Sequence, residues 1–147
     1  MENLIHAVKL SRPLASAVAA QTELDGTGVD TSGFDEVTFI LALGAVSASG
    51  VPALKAQQSD DDGSVDGYSD IAGSAQAATD ADSGKLIALT IYRPQKKFVR
   101  PVVTRAGGNA VVDGVIAVLG KPRALPTVQS VDVKASEVLA SPDEGTA

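Results

Sequence analysis

The sequence predicts an all-β fold, a β-sandwich or jelly-roll-like pair of antiparallel sheets with extended N- and C-terminal segments. Three observations predict it. Short runs rich in β-branched and aromatic residues recur between positions 36 and 119. Polar, Gly-rich turns separate those runs. The two strongest runs, 36–44 and 85–92, are apolar on both faces, as strands of a packed β body are when something covers their second side.

The strands follow in chain order. Residues 15–20 are Ala-rich, but Leu14, Ser16, Val18 and Ala20 alternate with Ala15, Ala17 and Ala19, which favours a strand over a helix. Asp25-Gly26-Thr27-Gly28 marks a turn. In EVTFILALG (36–44), Val37, Phe39, Leu41 and Leu43 share one face, while Thr38, Ile40 and Ala42 share the other. Residues 51–59 form a second strand, with Pro52 at its start. KLIALTIY (85–92) is a third. FVRPVVTR (98–105) is a fourth, expected at an edge or bulged because Pro101 cannot donate to a ladder. VVDGVIAVL (111–119) is a fifth, with Gly114 a bulge or kink.

Connections fill the intervals. Residues 59–73 (SDDDGSVDGYSDIAG) read as a hairpin-like connection with a short strand near 68–71. Residues 74–84 are a poor strand and at best a short helix. Arg105-Ala-Gly-Gly-Asn109 is a turn whose glycines supply positive φ. The chain thus divides into an N-terminal arm and first strand (1–32), a sandwich body (33–123) and an extended C-terminal tail (124–147) punctuated by Pro126 and Pro142.

Composition narrows the function classes. Net charge is −6, which argues against a nucleic-acid backbone as partner. The absence of cysteine removes disulfides, thiol catalysis and thiolate metal sites. No apolar run approaches the roughly 20 residues that a membrane helix needs. Residues 1–10 carry Glu2 and no continuous apolar stretch, which predicts no signal peptide.

No constellation predicts an enzyme. His6 is the one histidine, which a Ser-His-Asp triad would need, and it sits in the expected arm. Asp60, Asp61, Asp62, Asp66 and Asp70 crowd one segment, with a spacing unlike an EF-hand loop and unlike a glycosidase pair on opposed strands. Gly26-Thr-Gly28 and Gly107-Gly108 are too short for phosphate loops. We expect no catalytic residue, no metal and no cofactor. The remaining candidate is basic: Arg93, Lys96, Lys97, Arg100, Lys121 and Arg123, with Arg105 among them. With the aspartates upstream, this predicts a charge dipole. The basic segment reads either as a guarded sheet edge or as a contact face for an acidic partner.

Four motifs carry a resemblance. VDTSGFDEVTF at 29–39, QSDDDGS at 58–64 leading to YSDIAG at 68–73, KFVRPVV at 97–103 and AVLGKPR at 117–123 together resemble small proteins of tailed-bacteriophage heads, the capsid decoration or cement proteins. The resemblance spans roughly 29–123. It implies a β-sandwich on the outside of a capsid, assembled in a bacterial cytoplasm, with the major capsid protein and further copies of itself, as dimer or trimer, as partners. It carries no catalytic residue. On that reading, residues 1–12 and 121–147 are arms that touch neighbours. Two other readings stay open: a head–tail joining or tail protein, and a carbohydrate-binding module, for which only Tyr68 and Tyr92 could supply a sugar platform beyond the three phenylalanines.

Overall fold

The computed structural model describes residues 3–146, and antiparallel strands dominate it. A one-turn helix, α1 (Leu4–Ala7), precedes β1 (Lys9–Leu14), β2 (Ala17–Ala20), β3 (Leu24–Asp25) and β4 (Val29–Asp30). Then come β5 (Phe34–Val46), β6 (Val51–Ser59), β7 (Ser69–Asp70) and β8 (Gln76–Ala77). A 3₁₀ turn at Asp80–Asp82 leads to β9 (Leu86–Tyr92), β10 (Phe98–Ala106) and β11 (Ala110–Pro122). Among the described residues, no helix is long and apolar enough to cross a membrane.

The strands form two sheets. In the first, β1 and β2 lie along one side of β11, β5 along the other, and β9 at the far edge. In the second, β3 and β4 flank β10, which pairs with β6, which in turn carries β7 and β8. One face of each sheet supplies the shared core. Val37, Phe39, Leu41 and Leu43 of β5 and Val115, Ala117 and Leu119 of β11 meet Leu54, Ala56, Val99 and Val103 of the second sheet. The expected sandwich is therefore the observed fold, and the predicted inward face of 36–44 is the buried one. With no Trp and few aromatics, aliphatic side chains dominate this core.

Glycines mark two places where geometry demands them. Gly114 has φ of 120° and sits where the β5 register shifts, between Val112↔Leu43 and Gly114↔Ala42, so it forms the expected bulge. In the β10–β11 turn only Gly107 needs positive φ, at 74°. Gly108 serves close approach instead: a Cβ there would lie 2.8 Å from the Ala48 carbonyl oxygen.

Two expectations are corrected. Within the expected N-terminal arm, residues 9–12 belong to a strand of the first sheet. Lys9, Leu10 and Ser11 pair with Leu119, Val118 and Ala117, because β11 has an open side that β1 satisfies; Met1 and Glu2 lie outside the described residues. The sandwich body thus begins at β1, not at residue 33. Nor is β10 an edge strand. It pairs with β6 from Phe98↔Ser59 to Ala106↔Val51, and with β3 and β4 on its other side. Pro101 is tolerated inside the sheet because its missing N–H falls in the gap between β3 and β4. There the Gly26 N–H donates to the Pro101 carbonyl at 2.8 Å, and a Cβ on Gly26 would strike the proline ring at 2.7 Å.

Candidate functional site

The predicted basic residues have different settings. Lys96, Lys97 and Arg123 line a polar cleft with residues Thr31, Ser32, Gly33 and Phe34 at one end of the sandwich. Arg93 and Lys121 both stack on Tyr92, at 5.2 and 4.4 Å from the ring centre. Arg100 lies on the Tyr68 ring at 4.3 Å and donates to Gln57 Oε1 through Nε and Nη2. Arg105 is not a surface residue at all. It is 5% exposed, and its guanidinium donates to the carbonyls of Thr22, Val18 and Ala110 and to the Thr22 hydroxyl. It ties the β2–β3 connection to the start of β11.

The expected charge dipole is also absent, for a reason of register. The antiparallel pair Phe98↔Ser59 sets the acidic loop after β6 beside the basic loop before β10. Lys96 bonds Asp66 at 2.5 Å and reaches Asp60 at 3.6 Å. Lys97 pairs with Asp30 at 3.8 Å, Arg100 with Asp25 at 3.5 Å, Lys121 with Glu36 at 3.4 Å and Arg123 with Asp35 at 3.4 Å. Acid and base interleave across the surface. Lys97 and Arg123 keep more than half of their side chains exposed, and their pairs are long and screened.

The acidic loop is organised by its own chain. The buried Ser59 hydroxyl donates to the Asp66 carbonyl at 2.6 Å and accepts from the Gly63 N–H at 2.8 Å. Asp61 accepts from the N–H groups of Ser64, Val65 and Asp66. Desolvation pushes its carboxyl up, but the N–H groups of Val65, Asp66 and Ser64 outweigh that and hold it below the usual carboxylate range. The Lys96 ammonium, then the Asp60 N–H, does the same for Asp66. Gln57 and Lys55 hold Asp70 down. Asp62 accepts the Tyr68 hydroxyl, and desolvation together with that carboxylate pushes the phenol up. Among the described residues, no three His, Cys, Asp or Glu side chains are placed to hold a metal ion. Tyr68 is covered by Arg100 on its face and by Asp62 at its hydroxyl, so it is not an open platform.

The outer face of the first sheet is different in kind. Side chains that point away from the core meet in cross-strand rows: Ile116, Ile40 and Ala88; Val118, Thr38 and Thr90; Ala42 and Leu86. Leu86, Tyr92 and Ile116 are about half exposed or more. This is the second apolar face that residues 36–44 and 85–92 predict. The C-terminal tail covers only its margin, where Val133 and Asp132 share a groove with Leu10, Arg12 and Ile116.

That tail is anchored by side chains that sequence reasoning did not single out. The Thr127 hydroxyl bonds the Val8 carbonyl at 2.6 Å. Gln129 accepts the Leu10 N–H at 2.8 Å and donates to the carbonyls of Ile5 and Val8. Ser130 donates to the Leu10 carbonyl, and Asp132 accepts the Arg12 N–H at 2.9 Å. These residues occupy the outer edge of β1 as a strand would, but with side chains. The available signal was the run of polar residues at 127, 129, 130 and 132 between Pro126 and the charged end of the chain. Beyond Val133 the described residues of the tail form no regular element.

No family model matches the sequence, and no characterised protein matches it in sequence. A solved structure similar to this one is the SPBc2 prophage-derived protein YomS. The match covers 82% of this chain and 100% of that one, at 14% identity and a TM-score of 0.45.

Proposed function

We propose that this chain is a structural protein of a tailed-phage particle, bound to the outside of the capsid, where it stabilises contacts between capsomers without a reaction of its own. The observation that carries the reading is the distribution of exposed apolar surface. Part of it lies on one sheet face, at Leu86, Tyr92 and Ile116, and part on the tail that leaves the margin of that face, at Val131, Val138 and Leu139, while Leu4, Val18, Val51 and Val65 are exposed singly elsewhere. A cement protein needs a stiff body and a segment that reaches a neighbour, and many weak copies then act together. The resemblance of residues 29–123 to capsid decoration proteins supports the same reading. Its partners would be the major capsid protein and further copies of the chain. Lys97 and Arg123, whose ion pairs are long and exposed, are the basic residues best able to exchange partners at a shell surface.

The test is location and release. The full chain and a form ending at Asp132 are added to particles stripped of this protein, and bound protein is counted by electron microscopy. The full chain is expected at regular sites on the shell. The shortened form keeps the strap, the anchored residues 127–132 along β1, and is expected to fold but to lose most of its occupancy. Finding the chain at the tail, or finding the shortened form bound as well as the full one, would overturn the proposal.

A further inference from the structure

We propose that β9 is a self-association edge: two copies of this chain pair β9 against β9, antiparallel about a two-fold axis through Ala88, and so join their first sheets into one. This deepens the self-association part of the reading above by naming its surface and its symmetry.

β9 leaves one alternating set of its backbone groups open. The Leu43 N–H donates to the Lys85 carbonyl at 3.0 Å, and the Arg93 N–H donates to the Asp35 carbonyl at 2.7 Å. In an antiparallel ladder, bonded residues recur every second position. Lys85, Ile87, Leu89, Ile91 and Arg93 therefore bond toward β5. Leu86, Ala88, Thr90 and Tyr92 point their N–H and C=O groups outward. Among the described residues, no donor or acceptor meets those outward groups.

The other edge strands are shorter or capped: β2 spans four residues, and Arg105 donates to its Val18 carbonyl. β3, β4, β7 and β8 are two residues each, too short to template a partner. The β1 edge is filled by Thr127, Gln129, Ser130 and Asp132. β9 is seven residues long, contains no charge and no proline, and carries β-prone residues throughout. A soluble chain guards such an edge or uses it. The adjoining outer face, with Leu86 and Tyr92 exposed, is the surface that a continued sheet would extend.

A second copy is the occupant because the strand is its own complement. Pairing must bring outward residues opposite outward residues, and three central registers do this; an axis at Thr90 sets Leu86 across from the partner's Pro94, which has no N–H to donate, and that leaves two. An axis at Leu89 sets Arg93 across from the partner's Lys85, like charge against like. An axis at Ala88 sets Arg93 across from the partner's Ser83, next to the partner's Asp82. Charge selects the second. Leu86 then bonds the partner's Thr90, and Ala88 bonds the partner's Ala88, with Cα atoms about 5.5 Å apart.

The chain has no cysteine, so single cysteines report this register directly. Ala88→Cys places two thiols within disulfide reach across the axis. Leu86→Cys places them about 14 Å apart along the strands. Sedimentation should show the natural chain as a dimer at micromolar concentration. Ala88→Lys should sediment as a monomer with an unchanged far-ultraviolet circular dichroism spectrum, since residue 88 faces outward. Oxidised Ala88→Cys should give a covalent dimer, and Leu86→Cys should not. A monomeric natural chain, a dimer that survives Ala88→Lys, or equal cross-linking by both cysteines would overturn the proposal. Shell binding is scored separately on the same proteins. A dimer that does not bind shells leaves this inference standing and overturns the capsid reading; a monomer that binds shells does the reverse.

Discussion

The two edges of the first sheet solve one problem in opposite ways. β1 and β9 both present outward backbone groups at the rim of the same sheet. At β1 those groups are met by side chains from a tail more than a hundred residues later in the chain. At β9 they are met by nothing among the described residues. A segment that caps with Thr, Gln, Ser and Asp side chains closes an edge without adding a strand, so it offers no further edge to pair with. The difference teaches that the closure at β1 is specific to that strand and does not extend to the opposite rim.

The comparison presumes that both edges hang from one core, and the largest expected effect tests that. Phe39 is fully buried on β5, which pairs with β9 on one side and with β11, the neighbour of β1, on the other. Phe39→Ala should cost about 3–5 kcal/mol by urea denaturation. It should lower hydrogen-exchange protection in β1 and β9 together. Loss confined to one edge would mean that the sheet does not act as a single unit.

A smaller effect separates the edges. Gln129 accepts the Leu10 N–H and donates to Ile5 and Val8 carbonyls. Gln129→Ala should cost about 1–2 kcal/mol, because those backbone groups lose their partners in a partly buried setting. Leu10 amide protection should fall roughly tenfold, while β9 amides that bond to β5 stay as they were. If β9 protection falls equally, the strap supports the whole sheet and does not cap one edge.

How much of this was legible in the sequence follows from the range of each interaction. The strands of the core were readable because Val37, Phe39, Leu41 and Leu43 alternate locally, and alternation is a property of neighbours in the chain. Gly114 was readable for the same reason. The position of β10 was not, since Pro101 is excluded from a sheet interior only when its partner strand is continuous, and the break between β3 and β4 lies some seventy residues away. The charge dipole failed likewise. Counting charges along the chain cannot show that Phe98↔Ser59 pairing folds Asp66 onto Lys96. The strap was hidden most fully. Thr127, Gln129, Ser130 and Asp132 look like ordinary solvated residues, and their meaning appears only against the backbone of Val8, Leu10 and Arg12.

The smallest effect divides the strap itself, by pH. Asp132 is its one ionised member at the β1 edge. The Arg12 N–H, then the Ser11 hydroxyl, holds its carboxyl below the ordinary value of 3.8. The sign follows from linkage. A carboxyl whose folded value lies below its unfolded value stabilises the fold above the unfolded value, and that contribution fades as pH falls through the folded value. The Asp132 contact should therefore be constant from neutral pH down to about 4 and weaken below it. Gln129 does not titrate, so the Leu10 contact should persist. In a nuclear magnetic resonance titration, the Arg12 amide shift should move below pH 4 while the Leu10 amide shift stays flat. Asp132→Asn should abolish the Arg12 movement without releasing the tail, because the amide oxygen still accepts. Coincident titration of both amides would mean that the tail leaves the edge as one piece and that its bonds to β1 are not independent.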